Sequence, residues 1–242
     1  MKKISIIIPA YNEEAFIGTL IKKILAIDFE SLGFVKEIIV VDDGSKDKTY
    51  EIASSYEGIR CIKQFKNQGK GAAVQRGVRE STGDWILVQD ADLEYDPNDY
   101  ILLLKALEHG EEISIYGSRT MGQIKERGWF HLFPGKHKNQ SFGPWFAGVI
   151  LSIWTFVLYG YWISDTLTAY KLYPAKRIKR FSIKTCGFET DHELTAKLIK
   201  NGTQIKEIPI GYYPRSIEDG KKIKPMDGLI AMRTLLKYRF KD

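Results

Sequence analysis

Two aspartates, two residues apart, form the part of the sequence with the clearest chemistry. Asp90 and Asp92 in QDADLE follow the apolar run WILVQ, which predicts a strand buried on both faces. As that strand ends, both carboxylates can point into a cleft, where paired hard oxygens suit Mg²⁺ or Mn²⁺ with a diphosphate as the remaining ligand. Glu94 could add a third oxygen to the metal. The alternative is a solvated acidic turn that begins the next helix.

Two other turns carry polar residues directly after predicted strands. In PAYNEE, Tyr11 could lie against a base and Glu13 could bind a ribose hydroxyl, or the acids could simply start a helix capped by Asn12. In VVDDGSKDKT, Asp42 could accept hydrogen bonds from a nucleobase, or the segment could be an Asx-type turn. These residue types fit a nucleotide site, and each turn also has a plain structural explanation.

The elements that must position these turns alternate between strand and helix as far as about residue 120. Strands are predicted near residues 4–8, 37–41, 60–64, 85–89 and 113–116. Such alternation with short connections predicts an α/β fold with a doubly wound, mostly parallel sheet. Ligands of open α/β sheets bind at the carboxyl ends of the strands, so both acidic clusters should meet in one cleft.

Length and composition predict one domain and narrow the class of protein. The chain has 242 residues, a formal net charge of +6 and two distant cysteines, without repeats or low-complexity linkers. A basic balance suits nucleic acid, anionic lipid or a phosphorylated substrate, but no nucleic-acid motif is present. We therefore expect a single domain, with a nucleotide-binding half at 1–120 and an acceptor-binding half at 121–242.

Five motifs in order give the chain a family resemblance. IIIPAYNEE, IVVDDGSKDKT, NQGKGAAVQRG, ILVQDADLE and YGSR are spaced as in family 2 glycosyltransferases of GT-A fold, and the chain most resembles the dolichol-phosphate mannose synthase and polyprenyl-phosphate glycosyltransferase group. The resemblance implies that the diphosphate and its metal bind at Asp90, Ala91 and Asp92. It implies that the nucleoside is held by Pro9, Tyr11, Glu13, Val40 and Asp42.

The resemblance also implies three cationic site residues. Arg119 in YGSR matches an arginine that faces the phosphates, and Arg215 and Lys221 match an arginine and a lysine in a loop over the site. Together with Asp90 and Asp92, these cations would form the catalytic set, because metal and guanidinium groups stabilise a leaving diphosphate. Without the resemblance, Arg215 and Lys221 would be interpreted as ordinary residues of a solvated loop. Glu94 stands where the mannose synthases carry glutamine.

The acceptor follows from which groups can generate a nucleophile. A sugar hydroxyl needs a general base, whereas a lipid monophosphate, with a second pKa near ~6, is already largely dianionic at neutral pH. Glu189 or Asp191 could be that base, or they could be ordinary acids at the start of a helix that also carries Glu193. His192 is predicted to lie on the surface of that helix.

The segment at 142–163 carries no charged residue and is long enough to cross a bilayer. A single crossing would put Arg119 and Arg215 on opposite sides of the membrane, and no second apolar run brings the chain back. We therefore predict an interfacial helix or helical hairpin, with a buried or oligomer-forming helix and a true span as alternatives. The last helix, near 226–240, is predicted to be interfacial or packed on the core.

Together these features predict a metal-dependent glycosyltransferase, and the resemblance implies that it inverts the anomeric configuration. A sugar, mannose or glucose, would move from a GDP- or UDP-sugar to a polyprenyl or dolichyl phosphate on the cytoplasmic face of the membrane, with Mg²⁺ or Mn²⁺ as cofactor. The protein would be peripheral or monotopic, and a homo-oligomer is open. One alternative is a GT-A enzyme that uses a carbohydrate hydroxyl and takes Asp191 or Glu189 as base. The other is a non-catalytic, membrane-associated protein that binds sugar nucleotides.

Overall fold

The computed structural model describes residues 1–107, 112–127, 142–214 and 225–241. Its strands are β1 (Lys2–Ala10), β2 (Phe34–Asp42), β3 (Ile59–Lys63), β4 (Trp85–Val88), β5 (Ser114–Ser118), β6 (Lys171–Pro174) and β7 (Ile205–Pro209). Its α-helices are α1 (Ile17–Ala26), α2 (Thr49–Ser54), α3 (Lys70–Glu80), α4 (Tyr100–Lys105), α5 (Arg119–Arg127), α6 (Phe142–Tyr159), α7 (Ala175–Ile178), α8 (Thr190–Lys200) and α9 (Pro225–Phe240). Short 3₁₀ turns lie at Glu30–Leu32 and Pro97–Asp99.

All the described strands belong to one sheet in the order β3-β2-β1-β4-β6-β5-β7. The pairs β1–β2, β1–β4, β2–β3 and β5–β7 are parallel, so the predicted doubly wound and mostly parallel sheet is confirmed. The exception is β6, which runs antiparallel between β4 and β5. The sequence did not predict this insertion.

The central strand β1 is apolar throughout because helices cover both of its faces. Ile6 packs in a cluster with α1, and Ile7 packs in another cluster with α3 and α8. Both isoleucines are fully buried. Burial on two faces explains why the strand reads as a continuous β-branched run without alternation.

The first helix starts later than the sequence predicts. Phe16 precedes α1, no acid lies in the first turn, and Asn12 adopts a left-handed φ of 52°, so the predicted cap at Asn12 is wrong. The Asn12 side chain instead accepts a hydrogen bond from Lys46 N at 2.9 Å, and Glu13 N donates to Thr49 Oγ1 at 2.8 Å. These bonds to the neighbouring loop hold the segment open, because local polar side chains compete with helix formation.

The apolar segment forms one helix, α6, which packs against α9. Trp154 Nε1 donates to Met232 O at 3.1 Å and Tyr159 OH donates to Leu235 O at 2.7 Å. Leu151 is 1% exposed on this face, whereas Val157 is 66% exposed on another. Among the described residues, no helix combines the length and apolarity needed to cross a membrane.

Both packed helices also expose large apolar side chains. On α6 these are Phe146, Val149, Ile153, Phe156 and Val157, and on α9 they are Met226, Leu229, Ile230, Leu236 and Phe240. Exposed basic residues accompany them on α9, namely Arg233, Lys237 and Arg239. Apolar exposure on this scale, rimmed by cations, is typical of an interaction surface rather than of ordinary solvent-facing helices.

Candidate active site

A cavity of about 260 Å³ opens where β1, β2 and β4 end. The predicted site residues that line it are Pro9, Tyr11, Glu13, Asp90, Ala91, Asp92 and Glu94. The lining residues that sequence reasoning did not select are Ala10, Asp43, Asn67, Gly69, Lys70, Ala73 and Phe188. The two acidic clusters therefore meet at one edge of the sheet, as the parallel topology requires.

Three predicted site residues in the described part of the chain do not line this cavity. Val40 and Asp42 are almost completely buried, and both Asp42 carboxylate oxygens lie 3.3 Å from Ser45 N. Arg119 lies beyond the cavity, at the end of β5. Arg215 and Lys221 lie outside the described residues. The Asp42 carboxylate therefore shapes the turn after β2 from within the core.

Asp43 lines the cavity together with Asp90 and Asp92 and anchors the loop that follows β3. Its carboxylate accepts hydrogen bonds from Gln64 Nε2 at 2.8 Å, Gln68 N at 2.9 Å and Gly69 N at 2.8 Å. Burial raises the pKa of Asp43, and the two backbone hydrogen bonds partly oppose that rise. One carboxylate thus fixes the whole loop at residues 64–69.

Lys70 is a cation inside the cavity, placed there by the first turn of α3. Its Nζ lies 2.6 Å from Asp90 Oδ1 and 3.7 Å from Asp191 Oδ2, and 5.8 Å from the centre of the Phe188 ring. Burial lowers the pKa of Lys70, but the two carboxylates outweigh burial and hold the pKa above its usual value. Lys70 is therefore a fixed positive charge between Asp90 and the start of α8.

The carboxylates of the cavity supply hard oxygen ligands for a divalent cation. Asp90 and Asp92 lie together at the end of β4, but no three His, Cys, Asp or Glu side chains among the described residues cluster as a metal site. Glu94 Oε2 instead accepts a hydrogen bond from Tyr212 OH at 2.9 Å. Two protein carboxylates with substrate oxygens as the other ligands fit Mg²⁺, which seldom has an all-protein cage.

Arg119 is held rigidly at the end of β5. Its Nε and Nη2 donate to the two oxygens of Asp165 at 2.7 and 2.8 Å, in a bidentate pair. Burial raises the pKa of Asp165, but the Arg119 pair outweighs burial and leaves the pKa below its usual range. The Arg119 side chain is still 22% exposed, and its Nη1 makes no hydrogen bond to the described residues. The remaining N–H groups can bind an anion.

Comparison with known proteins identifies the chain. Residues 5–156 match the model of Glycosyl transferase family 2. The chain belongs to this family. The predicted resemblance is confirmed, and the glycosyltransferase class of the enzyme with it.

Relatives of this family 2 glycosyltransferase include two archaeal enzymes. The dolichol-phosphate mannosyltransferase of Pyrococcus furiosus is 39% identical over 130 residues, which cover 52% of this chain and only 36% of that protein. The UDP-N-acetylglucosamine–dolichyl-phosphate N-acetylglucosaminyltransferase of Methanococcus voltae is 28% identical, over 86% of this chain and 85% of the relative.

A solved structure shares the fold along the whole chain. Glucosyl-3-phosphoglycerate synthase from Mycobacterium tuberculosis, crystallised with Mn²⁺, UDP and phosphoglyceric acid, superposes with a TM-score of 0.70. The likeness covers 100% of this chain and 80% of that chain at 21% identity. It confirms the predicted GT-A fold.

The acidic cluster on α8 of this family 2 glycosyltransferase divides into different roles. Glu193 is fully buried and accepts hydrogen bonds from Lys184 N and Thr185 N, so it is structural. Burial raises the pKa of Asp191, but Lys171 and Lys70 outweigh it and leave the pKa low. His192 is 3% exposed, so its predicted surface position is wrong. Burial lowers the pKa of His192 to about 3, and the ring stays neutral.

The residues missed by sequence reasoning share one property. Lys70, Asp43 and Asp165 owe their roles to partners in distant parts of the chain. For Lys70 the sequence does carry a local signal, which is the glycine directly before it. The structure explains that glycine, because Gly69 has a φ of 98° and any Cβ there would lie 2.5 Å from Cys186 O. A glycine required in front of a lysine marks a close approach of α3 to the loop before α8.

Replacing Asp43 with asparagine should loosen the loop at residues 64–69, which borders the cavity. The amide can accept from only some of the three donors and points its own N–H groups at the others, so we expect about 1–3 kcal/mol lower stability. Binding of UDP or GDP with Mn²⁺, measured by calorimetry, should weaken at least about tenfold. Asp28→Asn is the matched control, since Asp28 accepts from Ser31 N on an exposed turn far from the cavity. Equal losses in both variants would contradict a role in nucleotide binding.

Proposed function

We propose that this family 2 glycosyltransferase transfers a sugar from a nucleotide-sugar donor to the phosphate of a polyprenyl or dolichyl lipid at a membrane surface. The observation that carries the proposal is the charge environment of Asp191, which with Glu189 is the candidate base for a hydroxyl acceptor. Two lysines, Lys70 and Lys171, compensate it and lower its pKa. A weakly basic carboxylate suits an acceptor that arrives already ionised.

The donor would bind in the cavity at the ends of β1 and β4. Tyr11 and Glu13 line it beside Pro9 and are proposed to hold the nucleoside, and Val40 and Asp42 would support them from the core. Asp90 and Asp92 would hold Mg²⁺ or Mn²⁺ with the diphosphate, next to Ala91. When bound, the cation would stabilise negative charge on the leaving diphosphate. The predicted third ligand, Glu94, stays a prediction, because in the described geometry Tyr212 engages its carboxylate.

The acceptor phosphate would attack the anomeric carbon without a protein base. A phosphate with a second pKa near ~6 is largely dianionic at neutral pH, so the enzyme must supply positive charge and orientation. Arg119 offers N–H groups left over from its pair with Asp165. Attack opposite to the leaving diphosphate inverts the anomeric configuration. Arg215 and Lys221 remain predicted phosphate ligands.

The α6 and α9 helices would bring the site to the membrane surface. Their exposed apolar side chains can enter the interface while Arg233, Lys237 and Arg239 meet anionic headgroups. We infer a peripheral or monotopic enzyme on the cytoplasmic face. The names of the archaeal relatives, both of which include dolichyl phosphate, support the acceptor class. Residues 1–120 would serve mainly the nucleotide and 121–242 mainly the acceptor, within one domain.

Transfer from a panel of radiolabelled GDP- and UDP-sugars to polyprenyl phosphate tests the proposal. In detergent with Mg²⁺ or Mn²⁺, label should enter the organic phase for one donor, mannose or glucose being expected, and chelator should abolish it. If a nucleotide sugar binds with metal but no donor labels the lipid, the acceptor is something else and the proposal fails.

Asparagine at position 191 separates the lipid-phosphate reaction from the carbohydrate-hydroxyl alternative. Lipid transfer should fall less than about tenfold, because Asp191 would serve only to compensate Lys70 and Lys171, whereas loss of a general base costs roughly 10²–10⁴-fold. Initial rates at saturating donor measure the difference. Glu189→Gln is the companion variant, since Glu189 accepts from Gly187 N and is the other base candidate. A hundredfold loss of lipid transfer in either variant would show that the reaction needs a protein base, which contradicts the proposed mechanism.

A further inference from the structure

Tyr212 lies between the acidic segment after β4 and the arginine after β5. Its hydroxyl donates to Glu94 Oε2 at 2.9 Å, and its ring centre lies 4.8 Å from Arg119 Cζ. Arg119 and Tyr212 follow neighbouring parallel strands, whose register pairs Ser118 with Pro209. The sheet therefore delivers both side chains to the same edge, where the tyrosine contacts residues from two different elements.

The segment that carries Tyr212 is tied to the acidic segment at several points. Tyr213 N donates to Glu94 O at 2.8 Å, and Gly211 N donates to Asp99 Oδ2 at 2.9 Å. The Tyr212 ring also packs against the Tyr95 ring, with 5.2 Å between centroids. With backbone bonds on both sides of it, the phenol has little freedom to move away from Glu94 or from Arg119.

The guanidinium of Arg119 is consequently held by two kinds of contact. Asp165 accepts two hydrogen bonds from it, and its Cζ lies over the Tyr212 ring. A cation–π contact added to a bidentate ion pair restrains a guanidinium more than the ion pair alone does. Burial raises the pKa of Tyr212 despite the nearby Arg119 charge, so the phenol keeps its proton and remains a donor to Glu94.

We propose that Tyr212 is the positioning residue for Arg119, and that Glu94 serves as the acceptor that fixes Tyr212. The inference rests on the proposed function only in assigning Arg119 to the acceptor phosphate. Glu94 would then act by holding Tyr212 in place rather than by binding the metal. It also joins the loop of Asp90 and Asp92 to the arginine through one side chain.

The variants Tyr212→Leu, Tyr212→Phe and Tyr212→Trp test the contact, with Tyr213→Leu as matched control. Tyr213 is the next residue, and its side chain is 64% exposed. The first readout is the Arg119 Nε–H signal in ¹H–¹⁵N spectra, assigned by its loss in Arg119→Lys. In Tyr212→Leu it should shift and exchange faster with water, in Tyr212→Trp it should stay protected, and in Tyr213→Leu it should not change.

Kinetics and Mn²⁺ binding give the second and third readouts. Loss of the aromatic face should raise KM for polyprenyl phosphate about tenfold in Tyr212→Leu, with a smaller rise in Tyr212→Phe and little change in kcat. Mn²⁺ affinity in the presence of UDP or GDP, followed by electron paramagnetic resonance, should be unchanged. A Tyr212→Phe variant that binds Mn²⁺ much more weakly would assign the Tyr212–Glu94 pair to the metal and overturn the inference.

The failures of the two proposals are distinguishable. An unchanged Arg119 signal in Tyr212→Leu, with thermal unfolding like wild type, overturns the positioning role whatever the enzyme transfers. If Tyr212→Leu does not fold, Tyr212→Phe still tests the inference, because it keeps the ring but removes the hydroxyl that donates to Glu94. An Arg119 signal and a KM that are both unchanged in Tyr212→Phe would then overturn the inference. If wild-type protein labels no lipid while the Arg119 signal responds as expected, the function assigned to the site fails and the positioning role stands.

Discussion

Asparagine in place of Asp92 should lower sugar transfer by roughly 100- to 1,000-fold, the size of loss seen when one electrostatic stabiliser of a transition state is removed. Asp92 lies at the floor of the cavity, 8% exposed, and its Oδ1 accepts a hydrogen bond from Glu94 N. A neutral amide keeps that acceptor but supplies a much poorer ligand to a divalent cation. Initial rates over a Mg²⁺ or Mn²⁺ titration measure the effect.

Asp84→Asn is the control for this result, because Asp84 stands at the opposite end of the same strand. Its Oδ2 accepts from Lys3 N on the exposed side of the sheet. Transfer and slow donor hydrolysis should both persist in Asp84→Asn, and both should fall by roughly 100- to 1,000-fold in Asp92→Asn. Donor hydrolysis that survives in Asp92→Asn would remove the carboxylate pair from the chemistry. A wild type with no hydrolysis or transfer for any donor would favour the non-catalytic binding protein.

Lysine in place of Arg119 should cost about 100-fold in transfer while the protein stays folded. A lysine keeps the charge near Asp165 but loses the bidentate pair and the flat face against Tyr212. Loss of one hydrogen bond from the guanidinium to a charged phosphate, at about 1.5–3 kcal/mol, accounts for a loss of this size. The comparison of kcat/KM for the lipid acceptor with thermal unfolding separates chemistry from stability.

Arg177→Lys is the matched substitution for that comparison. Arg177 Nε also pairs with a carboxylate, that of Glu112, at 2.9 Å, but both side chains are substantially exposed and remote from the cavity. An exposed pair contributes at most about 1 kcal/mol, so activity should be unchanged. If Arg119→Lys transfers sugar as fast as Arg177→Lys does, Arg119 does not contact a reacting phosphate.

The cavity at the ends of β1 and β4 could be predicted from sequence because its residues lie in short motifs that directly follow strands. Tyr11, Glu13, Asp90 and Asp92 all line the cavity, and the parallel sheet needs only the order of strands to bring them together. The strand positions could be predicted because β1, β2 and β4 are largely apolar on both faces. The start of α1 could not be predicted from the sequence, because Asn12 and Glu13 form hydrogen bonds with the loop after β2.

The partners of the charged residues could not be predicted, because sequence separation hides them. Arg119 and Asp165 are 46 positions apart, and Glu94 and Tyr212 are 118 apart. Periodicity reports which face of an element is buried, but it does not say which charge compensates which. The burial of Asp191 against Lys70 and Lys171, which decides its basicity, therefore emerged only from the fold.

The antiparallel strand β6 sets a condition on how the nascent chain can fold. Leu172 pairs with Leu87 on one side and with Ile115 on the other, so β6 joins strands synthesised long before it. Until residue 174 has left the ribosome, β4 and β5 each keep an edge that could pair with another chain. The stretch 5–156 that marks the family thus ends before the strand that joins β4 to β5. A protein cut at that point would be expected to aggregate, and the emergence of residue 174 from the ribosome is the earliest moment at which β6 can join β4 to β5.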